Sequence, residues 1–127
     1  MIHHLNGRLV EKTPTYVVVE CGGVGYQVHI SLTTFERIGS EENVCLHTHL
    51  VVREDAQLLY GFSNPEEREL FLLLIGVSGV GANTARMILS AMTTQDARQS
   101  IQLGDVDAMK RVKGIGAKTA QRIIIDL

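Results

Sequence analysis

The chain has 127 residues, of which 45% are hydrophobic and only 20% are charged, so it can bury a core and does not have the composition of a disordered segment. Its formal net charge of −2 is nearly balanced. Three Tyr, three Phe and no Trp argue against a stacking platform for single-stranded bases, which uses exposed aromatic side chains.

The opening stretch and the cysteines favour a cytoplasmic protein. MIHHLNGRLVEK contains no apolar segment of the kind found in signal peptides. The longest uncharged apolar run, FLLLIGVSGVGA, is too short to span a bilayer and is interrupted by glycines, so no membrane partner is expected. Cys21 and Cys45 lack the CxxC spacing, and we expect two free, buried thiols in a reducing compartment.

The first half of the chain has the composition of β-strands. Residues rich in β-branched and apolar side chains predict strands over 2–12, 16–21, 25–30, 43–52 and 57–62. Gly22 and Gly23 suit a tight connection between the second and third strands. LTTFERIG predicts a short helix at 32–39, with Thr34 near its start and Gly39 at its end. Five short strands protect their edges by closing, which predicts a small barrel.

After the fifth strand the periodicity changes to that of helices. Asn64 or Ser63 can cap a helix, and Pro65 suits its first position. The acidic pair that follows favours the positive end of the helix dipole. Helices are predicted over 66–75, 82–92, 95–101, 105–111 and 117–127. The sequence therefore predicts an α+β protein with a barrel domain at 1–63 and an all-helical domain at 64–127.

Two stretches of the helical half repeat at a spacing of 35 residues. VSGVGANTAR occupies 77–86, and VKGIGAKTAQ occupies 112–121. Each contains a hydrophobic-x-Gly-hydrophobic-Gly segment that leads directly into a predicted helix. Two copies are too few for a helical solenoid, which needs at least three.

Glycine loops that precede helices often bind phosphate, but neither copy satisfies a nucleotide-binding motif. A P-loop needs Lys directly after its last glycine, where Ala82 and Ala117 stand. The dinucleotide motif GxGxxG fails because Thr84 and Thr119 replace its third glycine. A second interpretation is that the glycines only permit tight turns between helices. It does not explain why an apolar residue recurs between them.

A third interpretation is a pair of phosphate-binding hairpins on DNA. The glycines would let backbone N–H groups approach a phosphate, and the dipole of the following helix favours the same anion. Val80 and Ile115 would point inward and hold each hairpin. The predicted contacts are Gly79, Val80, Gly81, Ala82, Asn83 and Thr84 in the first copy, and Gly114, Ile115, Gly116, Ala117, Lys118, Thr119 and Arg122 in the second. Backbone contacts predict binding that is independent of sequence and sensitive to salt.

Positive charge is concentrated around the second copy. Residues 108–127 contain five basic residues and a single acidic one, Asp126, although the chain as a whole is acidic. This basic segment is where a polyanion would be attracted.

These features resemble the RuvA family of Holliday-junction branch-migration subunits over essentially the whole chain. The resemblance is carried by both hairpins, which resemble tandem helix-hairpin-helix motifs, and by GGVGYQVHI (22–30), TTF (33–35) and HLVVREDAQLLYGF (49–62). It implies an OB-fold barrel and a homotetramer, alone or as two facing tetramers, that holds Holliday junction DNA open during recombination and repair. It also implies a RuvB-type ATPase and a RuvC-type resolvase as partners, with no cofactor and no catalytic residue in this chain.

The same resemblance matches Glu54 and Asp55 to the family's acidic pin, which projects at the centre of the tetramer. Two carboxylates at a hairpin tip repel phosphates, and four-fold symmetry would gather the pair from every subunit around one axis. The alternative is an ordinary solvated turn, which also prefers polar residues.

The chain departs from the family pattern in two respects. Some relatives carry Lys where Asn83 stands and Lys-Lys where Ala117-Lys118 stands, so fewer direct phosphate charges are expected here. The family also has a C-terminal three-helix domain that binds the ATPase motor, whereas this sequence ends at RIIIDL, within a predicted helix. The expectation is a chain that binds junctions but does not stimulate the motor.

Two other kinds of site are considered and not predicted. His47 and His49 share one face of a strand and His29 is a third candidate, but no further ligand completes a metal site. A nuclease or glycosylase that holds DNA with the hairpins would need a carboxylate–metal cluster or a Lys/Asp pair after the hairpin. Asp105, Asp107 and Asp126 are dispersed and form no such cluster. The sequence therefore favours a non-enzymatic DNA-binding protein.

Overall fold

In the computed structural model, which describes residues 1–127, the first half of the chain forms a closed five-stranded barrel. Its strands are β1 (His4–Lys12), β2 (Tyr16–Cys21), β3 (Val24–His29), β4 (Asn43–Val52) and β5 (Gln57–Phe62), and a helix, α1 (Leu32–Ile38), follows the third strand. The order around the barrel is β1-β2-β3-β5-β4, antiparallel except for the parallel pair of β3 and β5. The predicted OB-like barrel is confirmed.

The pairing of β1 with β4 closes the barrel, because these are the first and last strands in the order β1-β2-β3-β5-β4. Residues 4–8 pair with β4, and residues 8–12 pair with β2. The register with β2 shifts between Leu9 and Glu11, as at a β-bulge. A bulge bends a strand and increases its twist, so one strand can serve both neighbours around a small barrel.

The barrel core is filled from alternating strand positions. Val17 and Val19 of β2 are fully buried, while Val18 between them is only partly buried. Burying one such side chain contributes roughly 1.5–3 kcal/mol, so the alternation fixes which face of each strand points inward. The core comprises Leu5, Val17, Val19, Val28, Ile30, Ile38, Leu46 and Leu59.

The expectation of two buried thiols is wrong. Both cysteines are free, but Cys45 is exposed and Cys21 is only partly buried. Cys45 precedes the buried Leu46 on β4, so strand alternation turns its side chain outward. Apolar composition identified the strand correctly but did not indicate which of its faces is internal.

Helix α1 is capped at both ends, and its first residues form hydrogen bonds with the buried carboxylate of Glu67. Ser31 is its N-cap, because Ser31 Oγ accepts a hydrogen bond from Thr34 N at 3.1 Å, and Gly39 ends it with a φ of 55°. Glu67, from the start of the next helix, is 1% exposed and accepts hydrogen bonds from Ser31 Oγ at 3.4 Å and from Thr34 Oγ1. Burial raises the pKa of Glu67, while the Thr34 and Ser31 hydroxyls and Arg37 act in the opposite direction.

The second half of the chain contains α2 (Pro65–Ile75), α3 (Ala82–Ala91), α4 (Thr94–Gln102), α5 (Val106–Lys110) and α6 (Ala117–Asp126). All five predicted helices are confirmed. Asn64 caps α2, since its Oδ1 accepts a hydrogen bond from Glu67 N at 2.8 Å. None of the helices is both long enough and apolar enough to cross a membrane.

The chain divides into two compact units, Met1–Arg68 and Glu69–Leu127. The division falls within α2, a few residues after the domain boundary predicted between positions 63 and 64. Fully buried side chains of the second unit come from each of its longer helices and from α5, and they include Phe71, Leu74, Ile88, Leu89, Met109 and Ile123.

Candidate nucleic-acid interface

The two repeated segments form hairpins with the same hydrogen bond. Val80 N donates to Val77 O at 3.0 Å, and Ile115 N donates to Val112 O at 3.1 Å. Val80 and Ile115 are 5% and 7% exposed, so the inward orientation predicted for them is confirmed. The sequence repeat is therefore a repeat of backbone geometry, with one apolar side chain holding each hairpin to the helices.

The first glycine of each pair is required by the turn itself. Gly79 and Gly114 have φ angles of 88° and 89°, at the third position of a four-residue turn. A positive φ at this position is typical of a type II turn, and glycine adopts it without a steric penalty. These two glycines are explained by the local fold.

The second glycine of each pair has no such explanation. Gly81 and Gly116 have φ angles of −86° and −85°, and ψ angles of 175° and 173°, which any residue can adopt. A Cβ atom at either position would meet nothing within 4 Å. Neither backbone conformation nor packing within the chain therefore requires glycine here. Close approach of a ligand to the backbone would require it.

The same two glycines leave α3 and α6 without side-chain caps. Gly81 and Gly116 are the N-caps of these helices, and neither receives a side-chain hydrogen bond. All four remaining helices begin with a side-chain oxygen that accepts a backbone N–H, from Ser31, Asn64, Thr93 and Asp105. The first amides of a helix have no acceptor within it. Only the two hairpin helices therefore present these amides uncapped.

In the first hairpin, Asn83 and Arg86 form a hydrogen-bonded pair on the first turns of α3. Asn83 is exposed, and its Oδ1 accepts a hydrogen bond from Arg86 Nη2 at 2.7 Å. Thr84 is partly buried, and Ala82 is buried. Arg86 is absent from the predicted contacts, although its spacing of three residues from Asn83 on a helix places the two side chains on one face.

The second hairpin carries more positive charge. Lys118 and Arg122 are exposed on α6, and Arg122 Nε lies 3.1 Å from Asp126 Oδ2 one helical turn later. Lys110, which precedes the turn of this hairpin, and Lys113, its second residue, are also exposed. The basic side chains of the segment found in the sequence therefore lie at the surface.

One cleft brings the two copies together. It has a volume of about 260 Å³ and is lined by Ser78, Gly79, Lys118, Thr119 and Arg122. The turn of the first hairpin therefore lies beside the start of the helix that follows the second. Ser78 was not among the predicted contacts. Its signal in the sequence was alignment with the basic Lys113 at the same turn position.

The predicted acidic pin lies at the tip of the hairpin that joins β4 and β5. Glu54 and Asp55 are both exposed, and Arg53 N donates to Ala56 O at 2.8 Å to close the turn. The pair therefore projects from the barrel on a short, hydrogen-bonded turn.

The three histidines considered for metal binding are not arranged as a ligand set. His29 packs on Tyr60 with ring centroids 5.5 Å apart. Burial and the charge of Arg68 lower the pKa of His49. No group of three or more His, Cys, Asp or Glu side chains in the chain is placed to hold a metal ion.

Comparison with known proteins matches both halves of the chain. Residues 1–61 match the family described as RuvA N terminal domain, and residues 71–127 match the one described as SAM-like Helix-hairpin-helix tandem. Three relatives aligned with all of this chain are each named Holliday junction branch migration complex subunit RuvA. They come from Christiangramia forsetii (57% identical), Flavobacterium psychrophilum (52%) and Bacteroides thetaiotaomicron (50%).

The chain spans a little under two thirds of the length of these relatives, namely 66%, 66% and 63%. The barrel falls in one family match and the paired hairpins fall in the other, in the same order along the chain. The chain therefore belongs to the RuvA family.

Proposed function

We propose that this chain binds four-way Holliday junction DNA through its phosphate backbone and acts as the scaffold of a branch-migration complex. The observation that carries the proposal is the pair of uncapped helices that begin at Gly81 and Gly116, where nothing within the chain requires glycine. The shared name of the relatives, Holliday junction branch migration complex subunit RuvA, supports a Holliday junction as the form of DNA that is bound.

Each hairpin would bind one stretch of phosphate backbone. The uncapped amides at 82–84 and 117–119 donate hydrogen bonds, and the positive ends of the two helix dipoles favour the same anions. Lys118 and Arg122 add charge beside the cleft that the two copies share. Such contacts do not distinguish bases, so binding would be independent of sequence and would weaken steeply as salt rises.

Selectivity for a four-way junction would come from assembly. Four copies of the chain around one axis, singly or as two facing tetramers, would match the four arms of the DNA. Glu54 and Asp55 would then face the point where strands cross, and their charge would repel phosphates there. The exposed tip on which they lie supports this role.

The chemical work of branch migration would belong to partners. We propose that this chain is not itself an enzyme and that a RuvB-type ATPase moves the DNA while a RuvC-type resolvase cuts it. Since the ligand would be cellular DNA, the proposal also locates the protein in the cytoplasm.

The test is a comparison of DNA ligands at several salt concentrations. Fluorescence anisotropy would measure binding of a labelled four-way junction and of a linear duplex with the sequence of two of its arms. We expect tighter binding to the junction, with an affinity for both that falls as salt rises. Equal affinities would contradict selectivity, and the absence of salt-dependent binding would contradict DNA binding altogether. Cleavage of the labelled junction with Mg²⁺ would contradict the non-enzymatic assignment.

A further inference from the structure

The first hairpin has almost no charge of its own. Between Glu69 and Asp96 the chain contains one charged residue, Arg86. The repeat aligns the neutral Asn83 with Lys118, so the first copy lacks the lysine that the second copy carries on its first helical turn. A phosphate held only by neutral amides would be bound less strongly than one that also contacts a cation.

Arg86 lies where it could supply the missing charge. Its Nη2 donates to Asn83 Oδ1 at 2.7 Å, which brings the guanidinium to the side chain at the second position of α3. Arg86 is partly buried, and its hydrogen bond to Asn83 lies at the exposed surface of the first hairpin. A guanidinium carries several N–H donors in one plane and keeps its positive charge whatever partners it has, so it attracts a phosphate that approaches Asn83.

The contact also fixes the orientation of Asn83. A guanidinium has no acceptor, so the atom of the Asn83 amide that faces it must be the oxygen. The NH2 group of Asn83 is thereby turned to the other side of the amide. Without Arg86 the amide could rotate and present its oxygen, which would repel an anion.

We propose that Arg86 is the phosphate-binding cation of the first hairpin, with Asn83 as its positioning residue. This inference rests on the proposed function and extends it by identifying the residue that supplies positive charge to the first hairpin. The position has no counterpart in the second copy, where the repeat aligns Arg86 with Gln121 and the charges come from Lys118 and Arg122. The two hairpins thus reach the same chemistry from different positions on their helices.

The experiment measures the salt dependence of junction binding for three variants of the 127-residue chain. Arg86→Gln should weaken binding about five- to tenfold near 0.1 M salt and reduce the slope of log Kd against log salt by about 0.9, the loss of one phosphate contact. Arg98→Gln is the matched control, because Arg98 is also partly buried but lies on α4, outside both repeated segments. It should leave the slope unchanged.

The third variant, Asn83→Lys with Arg86→Gln, separates a charge from a structural role. If Arg86 supplies charge to the hairpin, lysine at 83 should restore the slope. An Arg86→Gln variant that binds like the wild type overturns the inference, and so does a loss that Asn83→Lys fails to restore. A wild-type chain without salt-dependent binding would instead refute the proposed function on which the inference rests.

Discussion

Arg122 and Asp126 form an ion pair on the surface of α6, with Nε and Oδ2 3.1 Å apart. Arg122 is one of the proposed phosphate contacts. In the free protein its guanidinium is already engaged by the Asp126 carboxylate. Exposed pairs at this helical spacing contribute only about 0.3–0.5 kcal/mol, which a phosphate can readily replace. The pair therefore competes with DNA instead of preventing binding.

Asp126→Asn should tighten binding of a four-way junction. The substitution frees Arg122 and removes one negative charge from the basic segment, and we expect an affinity about two- to threefold higher at low salt. Fluorescence anisotropy at two salt concentrations measures the change. Asp96→Asn, which removes an equal charge from the first turn of α4, serves as the control. Equal effects of the two substitutions would show that Arg122 is not specifically restrained.

Serine at Gly81 and Gly116 should separate folding from binding. Serine is a good N-cap, so the double variant should be as stable as the wild type or a few tenths of a kcal/mol more stable. Its side chain would occupy the space left for a phosphate and satisfy the amides that the phosphate would use. Since each hydrogen bond to a charged group is worth roughly 1.5–3 kcal/mol, binding should weaken at least about tenfold. Thermal unfolding and anisotropy on the same samples test both parts.

Substitution of the turn glycine Gly114 should instead lower stability while leaving the proposed phosphate-binding amides in place. Gly114→Ala places a Cβ atom on a residue with a φ of 89° and should cost about 1–2 kcal/mol of stability. Its unfolding temperature should fall even though Gly116 and the amides of α6 are unchanged. A stable Gly114→Ala variant, or an unstable double serine variant, would contradict the division between glycines that serve the turn and glycines that serve a ligand.

Removing the charge of Glu54 and Asp55 should change base-pair opening in the junction but not the oligomeric state of the protein. Glu54→Gln with Asp55→Asn should leave the oligomeric state as in the wild type, because both side chains are exposed at a turn. Base pairs at the crossover should open less once the repulsion of phosphates is lost. A fluorescent adenine analogue placed at the crossover reports this opening. The control is Glu41→Gln with Glu42→Gln, an exposed acidic pair in another loop; if both double variants give the wild-type signal, the acidic-pin assignment fails.

Glu67 should make the barrel unit less stable as the pH rises. Its pKa is higher in the folded chain than the usual 4.5, so the folded state holds this proton more tightly. The contribution of Glu67 to stability is therefore greatest below pH 4.5 and is lost as the pH rises to the folded pKa. Glu67→Gln carries no charge, and its amide keeps one oxygen to accept the hydrogen bond from Thr34 Oγ1 and places an NH2 group where it can donate to Ser31 Oγ. Its unfolding temperature relative to wild type should increase between pH 4.5 and 8.

Glu66→Gln is the matched control for this prediction. Glu66 occupies the same first turn of α2, so its replacement has a similar effect on the helix dipole, but its side chain is exposed. Only Glu67→Gln should show the pH dependence. If the two variants shift together, burial of the Glu67 carboxyl is not what makes the stability of the barrel depend on pH.

The sequence by itself determined the elements and the repeat. Strand alternation, the helical period and the residues that begin and end helices are local properties, so the barrel strands and all five helices of the second half could be predicted to within a few residues. The turns at Gly79 and Gly114 were also predictable from local sequence, because a turn position with a positive φ selects glycine.

Only the tertiary structure decided which side chains meet. Glu67 resembles any acid in a first helical turn, and its burial depends on the contact between the start of α2 and Thr34 of α1. The exposure of Cys45 likewise depends on which face of β4 the barrel encloses. Convergence of Ser78 with Lys118 joins segments 40 residues apart in one cleft. Such contacts arise from packing of distant segments, which no local period encodes, and they are what turns two similar hairpins into one candidate surface for DNA.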